Sequence, residues 1–187
     1  MYKRQDLLIT QAPGDIGVLR DDGSVELLLN TEFSERYPSL SPSGRGLAYR
    51  SDETGSPSVY VQPFPNVNEG KWQISSAGSS FGSHPVWSPD EQQLFFVGGE
   101  FPGDLMVAAV ATEPNFSPST PSIVVEGFGT SFSWGTGNTR GFDITPDGSR
   151  FIARTRGGFQ SDAMNIFTGL VVVENWFEEL NERIPIP

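Results

Sequence analysis

A thirteen-residue pattern occurs three times in this chain, and a chain built from copies of one unit folds by repeating one arrangement of elements. Residues 37–49 (YPSLSPSGRGLAY), 84–96 (HPVWSPDEQQLFF) and 141–153 (GFDITPDGSRFIA) superpose without a gap. Each reads apolar residue, Ser or Thr, Pro, Ser or Asp, a turn residue, two spacers and an apolar triplet. Ser41, Ser88 and Thr145 hold the same place in the pattern, 47 and then 57 residues apart. Proline fixes φ and cannot donate to a ladder, so Pro42, Pro89 and Pro146 belong just past a strand end. The Ser or Asp and the Gly after them supply turn hydrogen bonds and positive φ. Each copy predicts strand, tight turn, strand. Ser43 and Glu91 depart from the Asp and Gly expected there, and Thr145 from Ser.

The spacing leaves room for two further strands in each unit. Ser58–Val61 and Asp104–Val107 hold equivalent third positions, and Trp72–Ile74 and Ile123–Val125 fourth ones. Four short strands in a repeat of roughly 40–50 residues define a blade of a β-propeller. The longer interval carries an insertion in Gly127–Gly141. In the same frame Asp6–Thr10, Gly14–Val18 and Val25–Leu29 are second, third and fourth strands, with a turn at Asp22-Gly23. The first unit then lacks its opening strand. Phe142–Ile144, Phe151–Thr155 and Ile166–Val173 supply three strands of a last unit. After them Trp176, Leu180 and Ile184 share one helical face, Asn175 caps it, Glu178 completes a capping box and Pro185 helps stop it. The expectation is an all-β chain: a partial propeller of about three to four blades of four-stranded antiparallel sheets, closed by a short C-terminal helix packed on its own propeller. Its divisions fall at 6–30 for a truncated blade, 31–76 and 77–126 for complete ones and 140–187 for the last blade with its helix. Residues 1–5 have no apolar stretch of a signal peptide behind them, resemble a translated sequencing-adaptor scar, and are set aside.

Composition narrows the partners. The chain has 12 Lys and Arg against 23 Asp and Glu, a net charge of −11, and only Lys3 and Lys71 are lysines. No basic face is available for a phosphate backbone or an anionic membrane surface, so neither nucleic acid nor membrane contact is expected. The best apolar runs, Leu105–Ala111 and Ile166–Val173, fall short of the roughly 20 residues that span a bilayer. The absence of cysteine excludes disulfides and thiolate chemistry and leaves the compartment open.

Signals of catalysis are sparse. His84 is the only histidine, so a His-rich metal site is impossible and any Ser-His-Asp triad must use it. The repeat gives it the slot of Tyr37, at the start of a first strand. No Asp-rich calcium loop occurs. Asp21-Asp22 and Asp90-Glu91 fall in turns, and Glu178-Glu179 on the outer face of a helix. The expectation is no catalytic, cofactor-binding or metal-binding residue within the chain, and no cofactor. The Gly-rich segment Gly127–Asn138 interleaves Phe128, Phe132 and Trp134 with small residues; it reads either as an aromatic ligand surface or as a loop folding its rings onto the scaffold.

The repeated Ser-Pro-Ser/Asp-Gly turn before an apolar triplet, with Val59-Tyr60-Val61 as third strand, resembles the TolB-type, WD-repeat-like propeller repeat. The resemblance covers 6–173. Ser58–Pro65, Gly70–Ser75 and Val173–Leu180 are further similar to the C-terminal propellers that follow a transmembrane helix in bacterial serine/threonine kinases. That likeness implies a non-catalytic, extracytoplasmic sensor or interaction domain that binds a protein or small ligand, with any kinase activity outside this chain. Two alternatives stand beside it: a free-standing TolB-like periplasmic propeller, and the gating propeller of a prolyl-oligopeptidase-like hydrolase.

Overall fold

A computed structural model describes residues 7–11, 14–75, 81–100, 103–112, 115–131, 141–154 and 170–173. The expected helix at Asn175–Ile184, with Trp176, lies outside them, as do Phe132 and Trp134.

Four antiparallel sheets follow one another along the chain. The first is β1 (Leu7–Gln11), β2 (Asp15–Leu19) and β3 (Val25–Leu29); the second β4 (Arg36–Leu40), β5 (Gly46–Ser51), β6 (Ser58–Pro63) and β7 (Trp72–Gln73). The third runs β8 (Phe81–Trp87), β9 (Gln93–Gly99) and β10 (Asp104–Ala111), with β11 (Ser117–Pro118) and β12 (Ser122–Val125) both paired to β10. The fourth is β13 (Phe142–Ile144), β14 (Phe151–Arg154) and β15 (Leu170–Val173). Every sheet is a meander in which each strand pairs with the one before it, except that β12 pairs with β10. The third differs from the expected four strands. Its outer strand is broken into β11 and β12 around Ser119–Pro121, and both pieces share the long β10: Val110 and Ala111 pair with β11, Leu105–Val107 with β12. Proline at 121 has no N–H to continue the ladder.

The three copies of the pattern close the same turn. Ser41, Ser88 and Thr145 each donate their backbone N–H to the carbonyl five residues on, Gly46, Gln93 and Arg150, at 2.8, 2.9 and 2.9 Å. Their hydroxyl oxygens accept from the N–H of those same residues at 3.1, 2.9 and 3.1 Å. Asp90 and Asp147 cap the loop by accepting from the N–H two residues ahead, Gln92 and Ser149, at 3.0 Å each. The turn needs a left-handed residue three places after its Ser or Thr, and Gly44, Glu91 and Gly148 sit there at φ 72°, 62° and 71°.

Burial places a core between each pair of consecutive sheets. Ile16 and Leu29 meet Leu47, Tyr49 and Tyr60; Ala48, Val59 and Val61 meet Trp87, Leu94 and Phe96; Phe95, Val97 and Leu105 meet Phe142 and Phe151. Successive four-stranded meanders packed face to face through such cores are propeller blades. Phe128 belongs to the last core, packed edge-on to Phe142 with centroids 5.6 Å apart, so the one described aromatic of the Gly-rich segment folds onto the scaffold.

Candidate functional site

Strand direction gives the second and third sheets two distinct edges. Pairing of Leu40 with Leu47, Gly46 with Pro63 and Trp87 with Leu94 puts the Ser41 and Ser88 turns on one edge. Pairing of Arg36 with Arg50, Ser51 with Ser58 and Asp104 with Gly98 defines the other.

At the turn edge a cavity of about 180 Å³ opens where the second sheet meets the third. Its walls are Trp72, from the outer strand of one sheet, Trp87, from the first strand of the next, and Phe116, which precedes β11. Trp72 and Phe116 pack with centroids 4.6 Å apart, their planes tilted by 41°. Trp87 is pinned by its indole N–H, which donates to the Ser39 carbonyl across the seam at 3.1 Å. Gln62 closes another wall with its amide committed: its Oε1 accepts from Tyr49 and its Nε2 donates to the Val67 carbonyl, both at 2.7 Å. Arg45 and Glu91 stand at the rim. Glu91 spans the seam, its two carboxylate oxygens accepting from the N–H and the hydroxyl of Ser43. A cavity of about 150 Å³ takes a benzene-sized group, so this one accommodates a single ring or aliphatic side chain.

The opposite edge carries strained backbone. Tyr37 in β4 and His84 in β8 hold positive φ, 56° and 55°, each directly before a proline and each where its ladder slips register. Proline disfavours α conformations in the residue before it, and a non-Gly residue held in a sparse region costs on the order of 1–3 kcal/mol. The two rings stack 4.0 Å apart, joining the sheets. His84 is only 3% exposed, and burial, then the nearby Arg50 charge, lower its pKa to about 4. An imidazole sealed and neutral in this way cannot serve as a solvent-accessible general base. His84 therefore occupies the first-strand slot that the repeat gives it.

Two further acidic residues have local roles. Asp22 accepts from the N–H and hydroxyl of Ser24 in an exposed turn, which holds its pKa low. Glu35 is 2% exposed on the seam of the first and second sheets, where burial raises its pKa and Thr31 donates to its Oε1 at 2.6 Å. Enclosed there, it cannot reach a substrate. No group of three or more His, Asp or Glu residues able to hold a metal ion occurs among the described residues. None of their helices is long and apolar enough to cross a membrane.

The architecture defines a class: consecutive blades of a β-propeller, with a cavity at one edge of a blade seam. Comparison with solved structures agrees. TolB from Acinetobacter baumannii matches with a TM-score of 0.50 and 18% identity over 82% of this chain and 35% of its own. A gluconolactonase from Xanthomonas campestris matches at 0.47 and 16%, over 76% and 50% of the two chains. A prolyl endopeptidase matches at 0.48 and 16%, over 81% and 26%. The chain thus spans about a third of the TolB structure, and what is shared is the fold. No family model matches the sequence.

Trp72 and Trp87 were legible as strand residues, and their convergence was not. The signal that could have shown it is the tryptophan closing the first strand of the second copy, where the other copies have Leu40 and Ile144. Phe116 gave no periodic signal at all.

Proposed function

We propose that this chain is a non-catalytic binding propeller that takes one aromatic or aliphatic side chain of a protein partner into the Trp72–Trp87–Phe116 cavity. The cavity carries this reading: it is walled by aromatic rings from two blades, is large enough for one ring and too small for most metabolites, and has charged groups only at its rim. Arg45 at that rim offers the partner backbone or an acidic neighbour a hydrogen-bond donor. Fluorobenzene followed by ¹⁹F NMR tests it. Saturable broadening at millimolar concentration in the wild type, lost in a Trp72→Ala, Phe116→Ala double variant that keeps its β-sheet circular dichroism, is expected. Equal broadening in both proteins sinks the idea.

We further propose that the propeller is the extracytoplasmic C-terminal sensor or interaction domain of a bacterial serine/threonine kinase. The similarity of Ser58–Pro65 and Gly70–Ser75 to such domains supports this. Sequencing the encoding locus through both ends decides it: a kinase domain and one transmembrane helix upstream are expected. A signal peptide with more blades and no kinase identifies a free-standing TolB-like propeller instead. An α/β-hydrolase sequence beyond residue 187 identifies a peptidase gate.

A further inference from the structure

The polar side chains inside the aromatic cavity are already engaged, and that narrows what the cavity can hold. Gln62 has its amide on Tyr49 and Val67, and the Trp87 N–H donates to the Ser39 carbonyl. The Ser41 hydroxyl oxygen accepts from the N–H of Gly46 at 3.1 Å and of Arg45 at 3.3 Å. The Gly46 carbonyl in turn accepts from the Ser41 N–H at 2.8 Å. Pro63 brings no N–H to its part of the wall. Arg45 and Thr112 are exposed and Glu91 half-buried, so the remaining charged and hydroxyl groups belong to the rim. A hydroxyl or primary amide pushed into such an interior gives up water without gaining a partner, so side chains that carry one are disfavoured there.

Trp72 is the exception. Its indole N–H has no acceptor among the described residues and stays open to solvent. The six-membered ring of Trp72 rests on Gly70, where a Cβ would stand 2.5 Å from Cη2, and Trp87 lies against Gly46, where a Cβ would stand 3.2 Å from Cζ2. Both indoles are therefore seated on bare backbone, and the ring surfaces are in place before a ligand arrives. The site offers apolar rings and one donor, and no interior side chain with an unengaged acceptor. Its chemical complement is a small apolar ring beside a carbonyl with no N–H of its own. Proline has both: the side chain is a saturated ring, and the X–Pro peptide bond is a tertiary amide that accepts without donating. Proline-rich segments also reach an aromatic groove already extended, with little conformational freedom left to lose.

We propose that the cavity takes a proline of an extended partner segment, its ring against Trp72, Trp87 and Phe116 and a neighbouring carbonyl accepting from Trp72 Nε1. The inference rests on the reading of the cavity as a site for a single side chain, and it names that side chain.

The test is displacement of fluorobenzene from the full chain, followed by ¹⁹F NMR, with acetyl-hexaproline amide and, as control, acetyl-hexaglycine amide. Hexaproline should relieve the broadening saturably and hexaglycine should not. Trp72→Phe keeps a ring and removes the donor: fluorobenzene should still broaden, while displacement should need about fivefold more hexaproline. The wild-type comparison of the two peptides needs no variant, so it decides the matter should Trp72→Phe not fold. Fluorobenzene bound but displaced by neither peptide, or by both equally, overturns the proline assignment and leaves the single-side-chain reading standing. Hexaproline acting with the same potency on wild type and folded Trp72→Phe overturns the role of the indole N–H. Absence of fluorobenzene broadening in the wild type overturns the cavity reading and the proline assignment together.

Discussion

The two edges of the second and third sheets are copies of one repeat, yet they reach their backbone conformations by different means. At the turn edge, Ser41 and Ser88, like Thr145 in the fourth sheet, bond the residue five places on through both backbone and hydroxyl, so the loop is closed by its own side chains. At the other edge Tyr37 and His84 adopt left-handed φ against the preference of their own sequence. Nothing local favours that choice. It is held by the stack between sheets and by the cores beneath. The comparison separates conformation written locally from conformation imposed by packing.

The largest test removes what holds both edges in place. Phe96 is 1% exposed in the core shared by the second and third sheets, and Phe96→Ala should cost about 3–5 kcal/mol, read as a lowered urea midpoint. A loss below about 1 kcal/mol would mean that the seam is not close-packed.

Acid should act on the imposed edge. His84 protonates near its ordinary value in the unfolded chain but only near pH 4 in the fold. Between those values the unfolded state binds more protons, so stability falls as pH is lowered through the window, by about 3 kcal/mol in all from this group. Burial raises the Glu35 pKa and so works in the opposite direction. Comparison with His84→Asn, which tolerates left-handed φ, isolates the histidine. The variant should show a flatter pH dependence of unfolding free energy between pH 7 and 4. Parallel wild-type and variant curves would place the imidazole in contact with solvent.

What could be read from the sequence follows the same division. The turns were legible because their chemistry is local: Pro after Ser, a small capping residue, a glycine at the left-handed place. The third strands at Val59-Tyr60-Val61 and Leu105-Met106-Val107 were legible from apolar runs at matching distances, and the structure extends them to Pro63 and Ala111. The divided outer strand of the third sheet was not, because β11 depends on the length of β10 rather than on any pattern in Ser117-Pro118. Nor was the pairing of Arg36 with Arg50, since register there passes through a bulge that one strand cannot announce. The aromatic cavity joins residues from two blades, and sequence spacing carries no information about which side chains meet across a seam.

Glu91 is where local and imposed conformation meet, and it offers the finest test. Gly44 and Gly148 satisfy the left-handed place of the turn without strain, whereas Glu91 holds φ 62° with a side chain. Its carboxylate accepts two hydrogen bonds from Ser43, tying the second sheet's turn to the third's. Gly44→Ala should cost about 1 kcal/mol, since it adds strain and brings no tie. Glu91→Ala keeps most of the strain and discards the tie, and should also lose about 1 kcal/mol. Glu91→Gly discards both, so relief of strain and loss of the bridge should offset each other to within about 0.5 kcal/mol. Chemical denaturation of the three variants reads this directly. If Glu91→Gly proves as damaging as Glu91→Ala, the residue is held in place by its bridge alone, and the turn does not discriminate against a side chain there.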